Sequence, residues 1–154
     1  MLTPEEQRAI NAQLAPGQSR RAGCIDALKV LQQQRGWISD DAVKELAAFL
    51  QMSATEMDAV ATFYNLIFRE PVGRHIILVC NSVSCWVRNY DGVLRRLSET
   101  LGIGLGQTTS DGRFTLLPIA CLGACDHAPA LMIDSDLYHD VAADDISSLT
   151  ARYP

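Results

Sequence analysis

His75-Ile76-Ile77-Leu78-Val79-Cys80-Asn81-Ser82-Val83-Ser84-Cys85 marks a change of pattern in the chain. Its opening run is aliphatic and β-branched, the composition of a buried strand over His75 to Val79. The run ends on a cysteine, and a second cysteine follows after four residues. Further on, Cys121-Leu122-Gly123-Ala124-Cys125 has three residues between its cysteines, and thirty-five residues separate the two pairs. Between them, Val93, Leu94, Leu97 and Leu101 predict a helix stopped by Gly102. Arg113 to Leu117 reads as a second strand after an Asp111-Gly112 turn. Ala130 to Ile133 gives a third strand, Leu137 to His139 a fourth, and Asp144 to Ala151 a closing helix. The order βα-β-β-β-α lacks the strict alternation of a doubly wound sheet and predicts a small mixed sheet flanked by helices.

Upstream of Glu70-Pro71-Val72-Gly73 the pattern is helical. Thr3-Pro4-Glu5-Glu6 is a helix start: a cap, proline at the first position, then acids favoured by the helix dipole. Pro16-Gly17 is expected to end that helix, and Ser19 to cap a second one carrying Ile25, Leu28, Val30 and Leu31 on its apolar side. Gly36 suits the end of that helix. Ser39 opens a third helix with Val43, Leu46, Ala47 and Leu50 on one face. Ser53-Ala54-Thr55-Glu56 matches a capping box, opening a fourth helix to about Phe63. The division predicted is therefore a helical region over residues 1–70 and an α/β region over 71–154.

Composition bounds what the chain does. Of its 154 residues, 48% are hydrophobic and 20% charged, an ordinary balance for a globular domain. The net charge of -5 speaks against a nucleic-acid surface, which needs a basic stripe to displace counterions. The longest apolar stretch, Ile76 to Cys80, is too short to span a bilayer, so no direct membrane insertion is expected. Met-Leu-Thr-Pro-Glu-Glu lacks the charged and apolar regions of an export signal. Five cysteines in such a chain point to metal or redox work before disulfides.

Four of those cysteines form the two pairs, each placed in a loop at a strand end. Four thiolates are what a [2Fe–2S] rhomb requires, two for each iron. Its net charge, minus two oxidised and minus three reduced, demands hydrogen bonds and dipoles when buried. Ser82, Ser84, Gly123 and Ala124 are small enough for backbone N–H groups to approach the sulfurs. An acidic protein offers little nearby positive charge, so a low reduction potential is expected. From spacing alone a four-cysteine structural zinc site stays open, although zinc favours C-x-x-C knuckles. A thioredoxin-type dithiol and a pair of disulfides are further alternatives. Cys24 lies on the apolar side of the second helix, where a small buried hydrophobe is the expected role. His75 and His139 are expected at the surface or a sheet edge, His127 as a polar loop residue, and Trp37 and Trp86 as packing residues. No Ser-His-Asp set, phosphate loop or G-x-G-x-x-G fingerprint is present, so no catalytic residue is assigned and no NADH or flavin site is expected on this chain. Phe63, Tyr64, Leu66, Ile67 and Phe68 form a segment richer in apolar side chains than solvent requires, and some of them are expected to face a partner.

Longer motifs go further. Gly36-Trp37-Ile38, Val60-Ala61-Thr62-Phe63-Tyr64, Pro71-Val72-Gly73, Cys80 with Cys85, Asp111-Gly112-Arg113-Phe114-Thr115 and Cys121-Leu122-Gly123-Ala124-Cys125 occur in this order. Together they resemble the thioredoxin-like [2Fe–2S] subunits of respiratory NADH:quinone oxidoreductase, complex I, called E in bacteria. The resemblance runs from about residue 20 to the C-terminus. It implies an α+β fold, an N-terminal helical bundle followed by a thioredoxin-like ferredoxin domain. It implies that Cys80, Cys85, Cys121 and Cys125 hold one [2Fe–2S] cluster, while Cys24 matches no ligand. It further implies docking against a subunit that binds FMN and NADH, with a large iron–sulfur subunit nearby, and single-electron exchange with that flavin. The location implied is cytoplasmic, on the peripheral arm at the inner face of the membrane. Related diaphorase subunits of NAD-linked hydrogenases and formate dehydrogenases share the cysteine pattern. A zinc-stabilised adaptor and a free-standing ferredoxin complete the alternatives.

Overall fold

Helices at the start of the chain and a sheet after it form two separate units, Met1–Pro71 and Val72–Pro154. The computed structural model describes residues 1–14 and 19–154.

The first unit holds α1 (Pro4–Gln13), α2 (Cys24–Arg35), α3 (Asp40–Leu50) and α4 (Ala54–Phe63). Thr3 caps α1 as expected and goes further, forming a reciprocal capping box with Glu6; Ser53 forms the expected one with Glu56. The predicted stop at Pro16-Gly17 lies outside the described residues; α1 itself ends at Gln13. Ser19 caps a single 3-10 turn, Arg20–Gly23, which then feeds α2. The buried face of α2 is Cys24, Ala27, Leu28 and Leu31, with Ile25 and Val30 only half-buried at its margin. The buried stripe differs from the expected one by part of a turn, because packing in the helical core selects the face that carries Cys24 and Ala27. On α3 the expected residues Val43, Leu46, Ala47 and Leu50 are all buried, joined by Ala42.

A charged network sits among these helices. The Arg35 guanidinium donates to both oxygens of Glu6, at 2.7 and 2.9 Å, and to Glu45 at 2.9 Å. Glu6 is buried, and its Arg35 hydrogen bonds hold its carboxyl down to about 2 against the opposing effect of burial. After α4 the chain is strapped back onto the unit. Gln32 donates to the Leu66 carbonyl and accepts from the Phe68 N–H, and Arg69 pairs with Asp40 and Asp58. Strapping the backbone buries Ile67 and leaves Phe63, Tyr64 and Leu66 exposed, Phe63 by 80%.

The second unit is built on β1 (His75–Cys80), α5 (Val83–Val87), α6 (Tyr90–Leu101), β2 (Gln107–Thr108), β3 (Phe114–Ile119), β4 (Leu131–Ile133), β5 (Asp136–Tyr138) and α7 (Ile146–Thr150). Its sheet order is β2-β3-β1-β4-β5. β1 is central and almost wholly apolar, as a strand flanked on both sides requires. It pairs in parallel with β3, Cys80 lying opposite Ile119, and antiparallel with β4. A parallel pair needs a crossover, which α6 supplies by packing Tyr90, Val93 and Leu97 on the sheet. The sequence reading does not include α5, which carries the second cysteine, or the two-residue β2. His75 begins a central strand, so its expected place at a sheet edge is corrected. It lies between the rings of Phe114 and Tyr153, with Nδ1 2.7 Å from Asp134.

Candidate metal centre

The parallel pairing of β1 and β3 sets both C-terminal ends on the same side of the sheet, and the two cysteine pairs follow those ends. Cys80 is the last residue of β1, its N–H donating to the Ala130 carbonyl at 3.2 Å. Cys85 sits inside α5, and both sulfur-bearing residues are buried. Cys121 follows β3 by two residues, and Cys125 opens a 3-10 turn, Cys125–His127; both are exposed. The chain then passes through a cis Ala128–Pro129 bond into β4.

The sulfurs of the second pair are close together. Cys121 and Cys125 stand 3.8 Å apart, Sγ to Sγ. Two thiolates at about 2.3 Å from one tetrahedral metal lie roughly 3.8 Å from each other, so this pair is already spaced to share an ion. Cys80 helps to raise the thiols of Cys85 and Cys125 and to lower that of Cys121, so the two pairs lie within electrostatic reach of each other. Among the described residues no three His, Cys, Asp or Glu side chains close around a single point. The cysteines stand as two adjacent pairs.

The two pairs differ in electrostatics. The Gly123 N–H donates to Cys121 Sγ at 3.3 Å, and this bond is the main cause that lowers the Cys121 thiol below its ordinary range. Gly123 itself takes a positive φ of 78°, a conformation that favours glycine and bends the loop on toward Cys125. Cys125 is pushed up, chiefly because its thiol hydrogen bonds to Cys121, and further because two thiolates so close repel. Burial pushes Cys85 up, while the Ala130 backbone amide opposes that shift. A metal bound there would overturn these preferences and hold all the thiols deprotonated.

Other expected residues fall elsewhere. Cys24 is buried in the helical unit with Ala27 and Leu28, a packing role. His127 is exposed, its Nδ1 3.1 Å from Asp140, and it stacks on the exposed His139. Trp37 is half-buried. Trp86, expected as a packing residue, is instead 63% exposed, because α5 turns it away from the Cys85 side. Sequence reasoning missed that α5 presents an apolar outer face beside Cys125. Val83, Val87 and Arg88 line a surface pocket with Ser84 and Cys125.

Known proteins resemble this chain closely. Residues 10–154 match the family model of the thioredoxin-like [2Fe–2S] ferredoxins. The E subunit of NADH-quinone oxidoreductase from Pseudomonas aeruginosa is 48% identical over 99% of this chain and 92% of its own length. Its namesake from Escherichia coli K12 is 45% identical, again over 99% of this chain and 92% of its own. Among solved structures, an NAD+-reducing [NiFe]-hydrogenase in the H2-reduced state superposes with a TM-score of 0.74 at 27% identity. That match covers 88% of this chain and only 23% of the hydrogenase chain. By matched sequence over nearly its whole length, the chain belongs to the thioredoxin-like [2Fe–2S] ferredoxin family, alongside the E subunits of NADH-quinone oxidoreductase.

Proposed function

We propose that this chain is the electron-transfer subunit of an NADH:quinone oxidoreductase, holding one [2Fe–2S] cluster on Cys80, Cys85, Cys121 and Cys125. The observation that carries the reading is the meeting of two cysteine pairs at the C-terminal ends of β1 and β3. The donor set fits the group: four sulfurs in two pairs, one pair at metal-sharing distance, with small residues and a backbone N–H beside them. When bound, the cluster supplies reversible one-electron chemistry.

The chain's own residues do the rest. β1 and α5 bury one pair and exclude water from it, while the loop after β3 leaves the other pair open to an electron-transfer partner. Gly123 steadies the added negative charge through its N–H. The exposed apolar face of α5 beside Cys125 and the exposed Phe63, Tyr64 and Leu66 support binding to other proteins. The partners in this reading are a protein carrying FMN and the NADH site, which exchanges single electrons with the cluster, and a large iron–sulfur protein of the same complex. The residue boundary between Pro71 and Val72 separates, in this reading, a docking domain from a ferredoxin domain. The assembly stands on the peripheral arm at the cytoplasmic face; among the described residues no helix is long and apolar enough to cross a membrane.

A second reading is favoured by the hydrogenase superposition: the same module serving as a diaphorase component of an NAD-linked hydrogenase. The higher identity to the E subunits places it second. Anaerobic purification with iron and sulfide assays, followed by EPR before and after dithionite, tests the cluster. Two irons and two sulfides per chain, EPR-silent when oxidised and spin-half when reduced, are expected. A colourless protein holding one zinc and no sulfide overturns the reading in favour of an adaptor. Affinity purification from native membranes separates the two redox readings, since quinone-linked and hydrogenase partners differ.

A further inference from the structure

The two cysteines on the open side of the metal centre are also placed to react with each other. Cys121 and Cys125 are exposed, and their sulfurs stand 3.8 Å apart. A disulfide bond measures about 2 Å, so a small turn of the exposed side chains joins them. The loop leaves room for that turn. Among the described residues no backbone–backbone hydrogen bond fastens Cys121, Leu122 or Gly123. The Gly123 N–H goes to Cys121 Sγ at 3.3 Å, which ties that sulfur to its own loop.

The other cysteines lack these freedoms. Cys80 and Cys85 are 3% and 1% exposed, so an oxidant in solution does not meet them. Cys80 is held in β1 opposite Ile119. Cys85 is held in α5, where the Trp86 and Arg88 N–H groups bond back to Ser82 and Ser84. Cys24 is packed in the helical core. The chain therefore exposes two thiols, and those two are neighbours. A solitary exposed thiol climbs the oxidation ladder to irreversible acids, whereas a neighbouring thiol diverts the first product into a disulfide.

Resting on the proposed cluster, we propose that Cys121 and Cys125 form a reversible dithiol–disulfide switch in the metal-free chain, closed by a hydroperoxide and opened by a dithiol reductant. Closing takes two steps. One sulfur attacks the peroxide and breaks its O–O bond; a sulfenic acid forms, and the displaced oxygen leaves as water with the thiol's proton. The second sulfur then attacks the first, the S–S bond forms, and the sulfenic hydroxyl leaves as a second water with the second thiol's proton. The two sulfurs lose two electrons and the peroxide gains them. Opening is thiol–disulfide exchange: the reductant gives its electrons and protons to Cys121 and Cys125 and leaves as a disulfide. While closed, the pair offers no thiolate to iron, so the cluster is not built. A bound cluster occupies the same sulfurs, so the switch works only before loading.

The test uses the full-length chain, stripped of metal and reduced, then treated with one equivalent of hydrogen peroxide. Remaining thiols are alkylated, and the chain is digested with trypsin without reductant. The arginines place Cys80 and Cys85 in one peptide, residues 75–88, and Cys121 and Cys125 in another, residues 114–152. Mass spectrometry is expected to find the second peptide unlabelled and two hydrogens lighter, and the first labelled at both thiols. Dithiothreitol is expected to reverse the change. The closed chain is expected to lose its uptake of iron and sulfide and to regain it after dithiothreitol. In Cys125→Ser no disulfide is expected, and excess peroxide should carry Cys121 to sulfinic acid. A 114–152 peptide that stays labelled, a disulfide formed first in the 75–88 peptide, or a bridge between two chains overturns the inference and leaves the cluster reading standing. So does a closed chain that loads as fully as the reduced one. A reduced chain that takes up neither iron nor sulfide overturns the cluster reading, and the switch's role with it.

Discussion

Cys80 and Cys85 are buried, whereas Cys121 and Cys125 meet solvent. Both pairs follow strands of one parallel pairing, so the difference comes from what surrounds each strand end. β1 is the sheet's central strand, and its continuation is covered by α5; the loop after β3 has only a 3-10 turn to shape it. The buried pair behaves as part of the core cluster that includes Val79, Val93 and Leu131. The exposed pair belongs to the surface and owes its order to Gly123 and to the sulfurs themselves. In the proposed reading one pair anchors the cluster and the other presents it.

That contrast breaks most visibly under paired substitution. C80S/C85S and C121S/C125S should each abolish iron and sulfide uptake. They should differ as metal-free proteins: the first places hydroxyls in the core and loses about 1–3 kcal/mol in urea unfolding, while the second unfolds close to wild type. Equal stability of the two double variants would mean that burial does not distinguish the pairs. A control outside the ferredoxin unit comes next in size. Glu6→Gln removes the charge from the Arg35 network and should cost about 2 kcal/mol without altering cluster content. Its sign with pH is fixed. The Glu6 carboxyl is lowered from 4.5 to about 2, so its contribution is full above 4.5 and fades as pH falls toward 2. The acid limb of wild-type unfolding should flatten in the Gln variant.

The contrast sharpens in the reactivity of the metal-free thiols. Alkylation at neutral pH, followed by mass spectrometry, should label Cys121 first, Cys125 later and Cys85 last. Cys121 is exposed with a lowered thiol, Cys125 exposed with a raised one, and Cys85 both buried and raised. The smallest effect is expected from Gly123→Ala. An added Cβ meets open space there, so the cost is the positive φ alone, about 1 kcal/mol. It should appear as a modest drop in cluster lifetime in air, and a fully wild-type lifetime would show that the Gly123 turn is not what holds Cys121.

Elements were legible where several signals coincide. Thr3, Ser39 and Ser53 announced their helices because a cap, an acid and an apolar period agree. β1 was legible because an apolar run between breakers has few other uses. The cysteines stood out because no other side chain supplies a thiolate, and because they fall in two close pairs. α5 was not legible, since five residues are too few to show a helical period. β2 was not either, because two residues pairing with β3 are fixed by the neighbour and not by their own composition. Trp86 misled for a related reason: a large aromatic is apolar wherever it sits, and only the rotation of α5 turns it outward. For α2, apolar residues lie on more than one side, and packing in the helical core buries Cys24 and Ala27 in place of Ile25.

The register that sets Cys80 beside Ile119 also fixes a schedule for biosynthesis. One cysteine pair leaves the ribosome early and the other follows after thirty-five intervening residues, and nothing local draws them together before α6 has crossed over and β3 has docked. Ribosomes deliver that stretch within seconds, yet the exit tunnel holds back the last residues made. In the proposed reading, iron and sulfide therefore meet a finished sheet and not a growing chain. Until then Cys121 and Cys125 are exposed free thiols, and in the proposed reading an oxidant that reaches them first denies the cluster its open side.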